Sequence, residues 1–164
     1  MEDLLTDFGS ALALWATGVT LVTIADGRDD IGVTVSSFLP VSFEPPMVAV
    51  SLMAPTYPAE VLARPAAPGF AVTVLSAAQR LVAGRFSASG RPGARLMMED
   101  VPHDRGVVTG ALIPSGGLCA LECSVARTLA TGDHLLVVAS VRRVAYVAET
   151  GEALVRFGGR YSAR

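Results

Sequence analysis

The chain contains no lysine: all 13 of its basic residues are arginine. A Walker-type phosphate loop, a Schiff-base lysine and a lysine general base are therefore excluded, and any phosphate must be held by Arg, hydroxyls and backbone N–H groups. Cysteine is almost as scarce. Cys119 and Cys123 stand four apart in what reads as one strand, too far apart for a disulfide, so they are expected as buried reduced thiols beside Leu121 and Val125. The two histidines, His103 and His134, are distant in sequence and form no zinc-like cluster. Charged residues make up only 17% and the formal net charge is −2, with no basic cluster beyond Arg142-Arg143, which argues against nucleic-acid binding. No apolar run reaches membrane-spanning length, and the acidic start Met1-Glu2-Asp3 lacks the basic region of a secretory signal, so a cytoplasmic protein with no membrane partner is expected. No glycine fingerprint follows a strand and opens a helix, which leaves a Rossmann dinucleotide site unsupported.

What is present is apolar. Hydrophobic residues are 51% of 164, enough for one domain over residues 1–164 with a sizeable core, and the surplus suggests a covered subunit interface. Leu4, Leu5, Phe8, Leu12 and Trp15 recur at helical spacing, predicting an amphipathic helix over 3–16 packed on the rest of the domain, with Trp15 in the core. Residues 19–25 and 31–38 predict a hairpin, 47–53 and 69–75 buried strands, and Thr56 the cap of a short helix ending near Arg64. Ser76 to Gln79 fits a capping box opening a helix to about Phe86. From Ser87 to Gly110 runs a long Gly-, Pro- and Arg-rich connection of the kind that forms a flap or a mobile segment, with His103 at its surface. Two long strands, 118–129 and 134–147, then flank the turn Thr131-Gly132-Asp133.

The stretch Ile31 to Phe38 draws most interest. With a period of two, Ile31, Val33 and Val35 face one way, and Gly32, Thr34, Ser36 and Phe38 the other. The second face is small and hydroxyl-bearing, which suits a flat ligand lying on the backbone; it equally suits a half-exposed strand whose Thr and Ser meet water. Six or seven strands, several in hairpins, with two or three helices predict a mostly β protein with peripheral helices, an antiparallel barrel of Greek-key-like type.

Several runs together resemble the flavin reductase-like domain family, the short-chain NAD(P)H:flavin oxidoreductases of the FMN-binding split-barrel fold. They are Trp15 to Thr23, Gly32 to Phe38, Pro45 to Val48, Phe70 to Leu75, Arg85-Phe86, Leu121 to Cys123, Gly132-Asp133-His134 and Gly159-Arg160-Tyr161, in order over nearly the whole chain. The resemblance implies a split β-barrel and a homodimer with flavin near the subunit interface. It also implies reduction of free FMN or FAD by NADH or NADPH, with the reduced flavin diffusing to the oxygenase of a two-component monooxygenase. In its terms Gly32, Thr34, Val35, Ser36, Ser37 and Ser51 line the flavin, Thr56 and the corner Arg85, Phe86 and Ser87 lie near its phosphate, and Asp133 and His134 face the nicotinamide, with His134 the catalytic candidate. Arg160 and Tyr161 close the site. Hydride transfer between two organic rings needs stacking and hydrogen bonds more than a catalytic triad. Without the family, Asp133-His134 is equally a turn acid and a solvated imidazole, and Arg160-Tyr161 a basic terminus.

Two departures from the family stand out. Ala54-Pro55 replace polar residues and Thr73 replaces a frequent Asn, changes expected to loosen the grip on the flavin tail. The alternative is a non-redox flavin-binding protein on the same fold. A pyridoxamine-phosphate-type oxidase shares the barrel, but Gly-Asp-His and Gly-Arg-Tyr argue against it.

Overall fold

The computed structural model describes residues 2–27 and 29–164. Helix α1 (Glu2–Ala13) leads into strands β1 (Thr17–Gly18), β2 (Thr20–Asp26), β3 (Asp29–Val35), β4 (Phe38–Phe43) and β5 (Pro46–Met53). Helix α2 (Tyr57–Leu62), β6 (Phe70–Val74), a 3-10 turn (Ala77–Gln79) and helices α3 (Arg80–Ser87) and α4 (Ala94–Met97) come next. Then come β7 (His103–Arg105), β8 (Leu112–Pro114), the long pair β9 (Cys119–Thr131) and β10 (His134–Val147), and β11 (Leu154–Phe157) with β12 (Arg160–Ala163).

The main sheet is antiparallel in the order β3-β2-β6-β9-β10-β5-β4. Its two end strands, β3 and β4, are neighbours in sequence with only Ser36 and Ser37 between them, so the sheet has to curl until its ends meet. No ladder joins β3 to β4, and the expected barrel is not closed; the structure is a mostly β, antiparallel fold.

Inside the curl, Val22, Ile24, Ile31, Val35, Val50, Phe70, Val72 and Cys123 form the main core, plugged at one end by Val61 and Leu62 of α2. Burying each such aliphatic or aromatic side chain is worth about 1.5–3 kcal/mol, so this cluster dominates the stability of the curl. A second cluster on the outer face joins Val19, Leu21 and Leu75 to Val82, Ala83 and Phe86 of α3 and Met98 just after α4. Cys119 and Cys123 are unpaired, and burial pushes the Cys123 thiol up to about 12, as an inert core thiol requires.

Several expectations are corrected. The apolar stripe of α1 does not pack on the body: Leu4, Leu5, Phe8, Leu12 and Trp15 are all exposed, Trp15 by 72%. Phe38 opens β4 and packs on the inner core, so it does not share a face with Gly32. Thr56 takes the N-cap position of α2, but its hydroxyl makes no cap bond and turns back to the Met53 carbonyl at 2.6 Å. The predicted capping box of Ser76 and Gln79 is present and opens the 3-10 turn that leads into α3; the Ser76 N–H donates to Gln79 Oε1, and the Ser76 hydroxyl also donates to Gly116 O. Ion pairs tie the connection from Ser87 to Gly110 to β3 and α3. Asp30, 2% exposed, binds Arg95 and Arg105, and Arg85 binds Asp100.

Candidate functional site

The end of β5, the start of β10 and the β3–β4 junction meet at one corner. His134 pairs with Met53 across the β5–β10 ladder, and Leu136 pairs with Ser51. The Ala54 N–H donates to the Asp133 carbonyl at 2.9 Å, fixing the tight turn that carries the histidine; Gly132, at φ 59°, makes that turn possible. From the other side the Ser37 hydroxyl donates to the Ser51 carbonyl at 2.7 Å, and the Ser51 N–H reaches the Ser37 carbonyl at 3.3 Å. Thr56 closes the group through Met53. The structure thus brings Ser37, Ser51, Thr56, Asp133 and His134 together, with half-exposed Ser36 alongside.

His134 is half-exposed, and its Nδ1 lies 2.7 Å from Asp133 Oδ1. The hydrogen bond from His134 holds the Asp133 carboxyl below its ordinary value, so at neutral pH it is an acceptor only. That requires the proton on Nδ1 and leaves Nε2 for another group, as an acceptor when the ring is neutral. Exposed Leu39 and Met53 add apolar surface beside these polar groups.

Other predicted site residues are engaged elsewhere, and the shelf expected on β3 is corrected. Ile31, Val33 and Val35 do face the inner core, but the opposite face is covered by α3. A Cβ on Gly32 would collide with the Phe86 ring, which is why glycine is needed there. The Thr34 hydroxyl donates to the Ala83 carbonyl at 2.7 Å, and Val35 is core, its carbonyl accepting from Thr20. Phe86 is fully buried. Arg85 makes a two-pronged ion pair with Asp100, and the Ser87 hydroxyl donates to Gly84 O, so the expected phosphate corner is occupied by bonds internal to the fold. Thr73 is sealed on the outer face of β6 with its hydroxyl unpartnered, away from the corner. Arg160 is exposed on β12, and Tyr161 packs on the outer cluster; among the described residues neither is bonded to the corner.

What the sequence reading missed is a cleft of about 530 Å³ next to the corner, lined by Gly32, Thr56, Tyr57 and the segment 89–94. Arg91 stands in its wall, its Nε donating to the Gly32 carbonyl at 2.9 Å. Only the density of Gly and Pro around Arg91 signalled a close backbone approach. A cleft of about 610 Å³ elsewhere, beside Arg143 and Tyr146, contains none of the predicted site residues.

A second buried acid lies away from the corner. Glu122 on β9 is 0% exposed and accepts from the Val108 and Thr109 N–H groups, the Thr109 hydroxyl and Arg143. Burial alone would push its carboxyl up; the hydrogen bonds from Thr109, Arg143 and Val108 outweigh that and hold it low. Its bonds tie the loop after β7 to the sheet.

Comparisons with known proteins agree over almost the whole chain. The chain is 39% identical over 158 residues to an NADH-dependent FMN reductase of Agrobacterium fabrum, covering 94% of this chain and 83% of that one. It is 34% identical to the reductase component of a 4-hydroxyphenylacetate 3-monooxygenase from Thermus thermophilus, covering 94% and 93%. Among solved structures, the flavin reductase component of a bacterial two-component tryptophan halogenase superposes with a TM-score of 0.89 at 28% identity, covering 97% of each chain. An NADH:FAD oxidoreductase of Streptomyces globisporus, solved in complex with NAD and FAD fragments, gives 0.87 at 28%, covering 96% and 91%. The family model described as "Flavin reductase like domain" matches residues 12–163, and the chain belongs to that family.

Proposed function

We propose that this protein catalyses the NADH-dependent reduction of free FMN or FAD and releases the reduced flavin to the oxygenase of a two-component monooxygenase. The observation that carries this reading is the corner itself: in a chain of this family, Ser37, Ser51, Thr56 and the Asp133–His134 pair converge beside an open cleft. These groups fit a flavin. The hydroxyls suit the polar edge of an isoalloxazine, and the exposed apolar side chains of Leu39 and Met53 suit its faces.

The flavin supplies the hydride-accepting chemistry when bound. Ser36, Ser37 and Ser51 orient its edge, and Thr56 stands toward its tail. Asp133 holds the His134 ring so that Nε2 can accept from the carboxamide of the nicotinamide. Arg160 and Tyr161 are retained as contacts to the nicotinamide nucleotide on the strength of the resemblance, and NADPH as a second donor.

The finer architecture accords with the same reading. Residues 1–164 are one domain, the curled sheet is a split barrel, and the working form is a homodimer. The exposed stripe of α1, together with Leu39, Val41 and Phe43 on the edge strand β4, is more apolar surface than a lone monomer keeps. Two unpaired cysteines accord with the reducing cytoplasm.

Anaerobic mixing with FMN or FAD and NADH or NADPH tests the reading: the yellow flavin absorbance should bleach with at least one pairing. Absence of turnover with all four pairings overturns it. Flavin that stays bound while no nicotinamide is oxidised would instead establish a non-redox flavin-binding protein.

A further inference from the structure

Arg91 differs from the ion-paired arginines in what it faces. Arg95 and Arg105 share Asp30, Arg85 holds Asp100, Arg143 holds Glu122 and Arg64 holds Asp26. Among the described residues Arg91 bonds only to neutral acceptors, the Gly32 carbonyl at 2.9 Å and the Ala88 carbonyl at 3.0 Å. These two bonds fix the plane of the guanidinium and leave most of its five N–H donors unspent. Burial without a carboxylate partner penalises the charge and pulls its pKa below the ordinary arginine value. A cation fixed in this way gains from any anion that reaches it.

The cleft gives such an anion its place. Arg91 and Ser89 are in the lining together with Thr56 and the backbone of Gly32 and Gly93. Gly90, at φ 65°, turns the chain into the segment that carries Arg91. Asp29 and Asp30 also line the cleft, but Asp30 is already neutralised by two arginines. Thr56 belongs to both the cleft and the corner, so one ligand can occupy the two with its ring at the serines and its tail at Arg91.

We propose that Arg91 is the phosphate-binding residue of this chain, and that the cleft between Gly32, Thr56 and Arg91 takes the phosphate end of the flavin. The proposal rests on the flavin reductase reading and moves the phosphate contact away from Arg85, whose guanidinium is held by Asp100.

Flavin fluorescence titrations of the wild-type and R91Q proteins test it, using FMN and riboflavin, which share ring and ribityl chain but differ in the phosphate. R91Q should weaken FMN binding about 10- to 100-fold, the range expected for a charge-assisted contact, with riboflavin affinity and the KM for NADH unchanged. The wild-type preference for FMN over riboflavin then disappears. Equal weakening of both flavins would make Arg91 a pin for its loop and overturn the proposal, as would no change in either. A rise confined to the KM for NADH would assign the cleft to the nicotinamide nucleotide and overturn it as well. Wild-type protein that reduces neither flavin with any donor would remove the reductase reading, whereas Arg91-dependent FMN binding in that same preparation would leave the phosphate site standing.

Discussion

The corner around His134 and the connection from Ser87 to Gly110 draw on similar polar residues and use them in opposite ways. The carboxylates that anchor the connection to the sheet, Asp30 on β3 and Glu122 on β9, are buried and saturated: Asp30 holds two arginines, and Glu122 takes four donors. At the corner, Ser37, Asp133 and His134 are partly or wholly exposed, bonded to one partner each, with valence left over. The contrast teaches that charge in this chain is spent on the fold where it is buried, and that ligand-handling groups are the lightly bonded ones at a sheet edge. Breaking the first kind should cost stability; breaking the second should cost binding.

The largest effect is expected at Glu122. Glu122→Ala strands Arg143 and the loop N–H groups of Val108 and Thr109, and should lower unfolding stability by about 3–5 kcal/mol in urea titrations. A loss under about 1 kcal/mol would erase the contrast. Acid should act through the same groups. Hydrogen bonds from Arg105 hold Asp30 below its ordinary value of 3.8, and Glu122 is held below 4.5. Their contribution is complete above those values and is lost as pH falls through the lower folded-state ones, so the unfolding midpoint should drop below about pH 4.5, less steeply in Glu122→Gln.

Gly32→Ala drives a methyl into the Phe86 ring and should cost about 1–3 kcal/mol in thermal or urea unfolding. A neutral result would mean that the β3 face is open after all. At the corner the readout changes. His134→Ala should raise the KM for NADH by ~10-fold while the unfolding midpoint and the KM for flavin stay put; equal shifts in both constants would remove His134 from the nicotinamide side. Ser37→Ala is the mildest: the flavin KM should rise only a few-fold, with stability within about 0.5 kcal/mol of the parent.

Much of the fold could be read from local pattern. Pro46–Met53 and Phe70–Val74 are apolar runs of strand length, and the long β9–β10 pair is marked by its Gly132 turn. β4 was not, because Pro40 argues against a strand; it is tolerated since β4 is the sheet edge, where one missing N–H matters little. The stripe of α1 was legible, but not that the helix lies off the body. At the site, His134, Ser37 and Ser51 were picked out by type and motif. Thr34, Phe86 and Arg85 were picked out too, yet the structure binds them into packing and to Asp100. Arg91 escaped notice, since nothing local distinguishes an arginine without a carboxylate from one that has found its partner.

Alternation along β3 by itself determined that Ile31, Val33 and Val35 would turn to the core and that Gly32 and Thr34 would turn away, because the strand period is local geometry. What lies over the second face was decided only by the fold. Helix α3, about 50 residues further on, covers Gly32 and Thr34, and the curl of the sheet brings Ser37, Ser51 and His134 to one corner. Those contacts join distant segments, and no short-range pattern encodes which of them will meet.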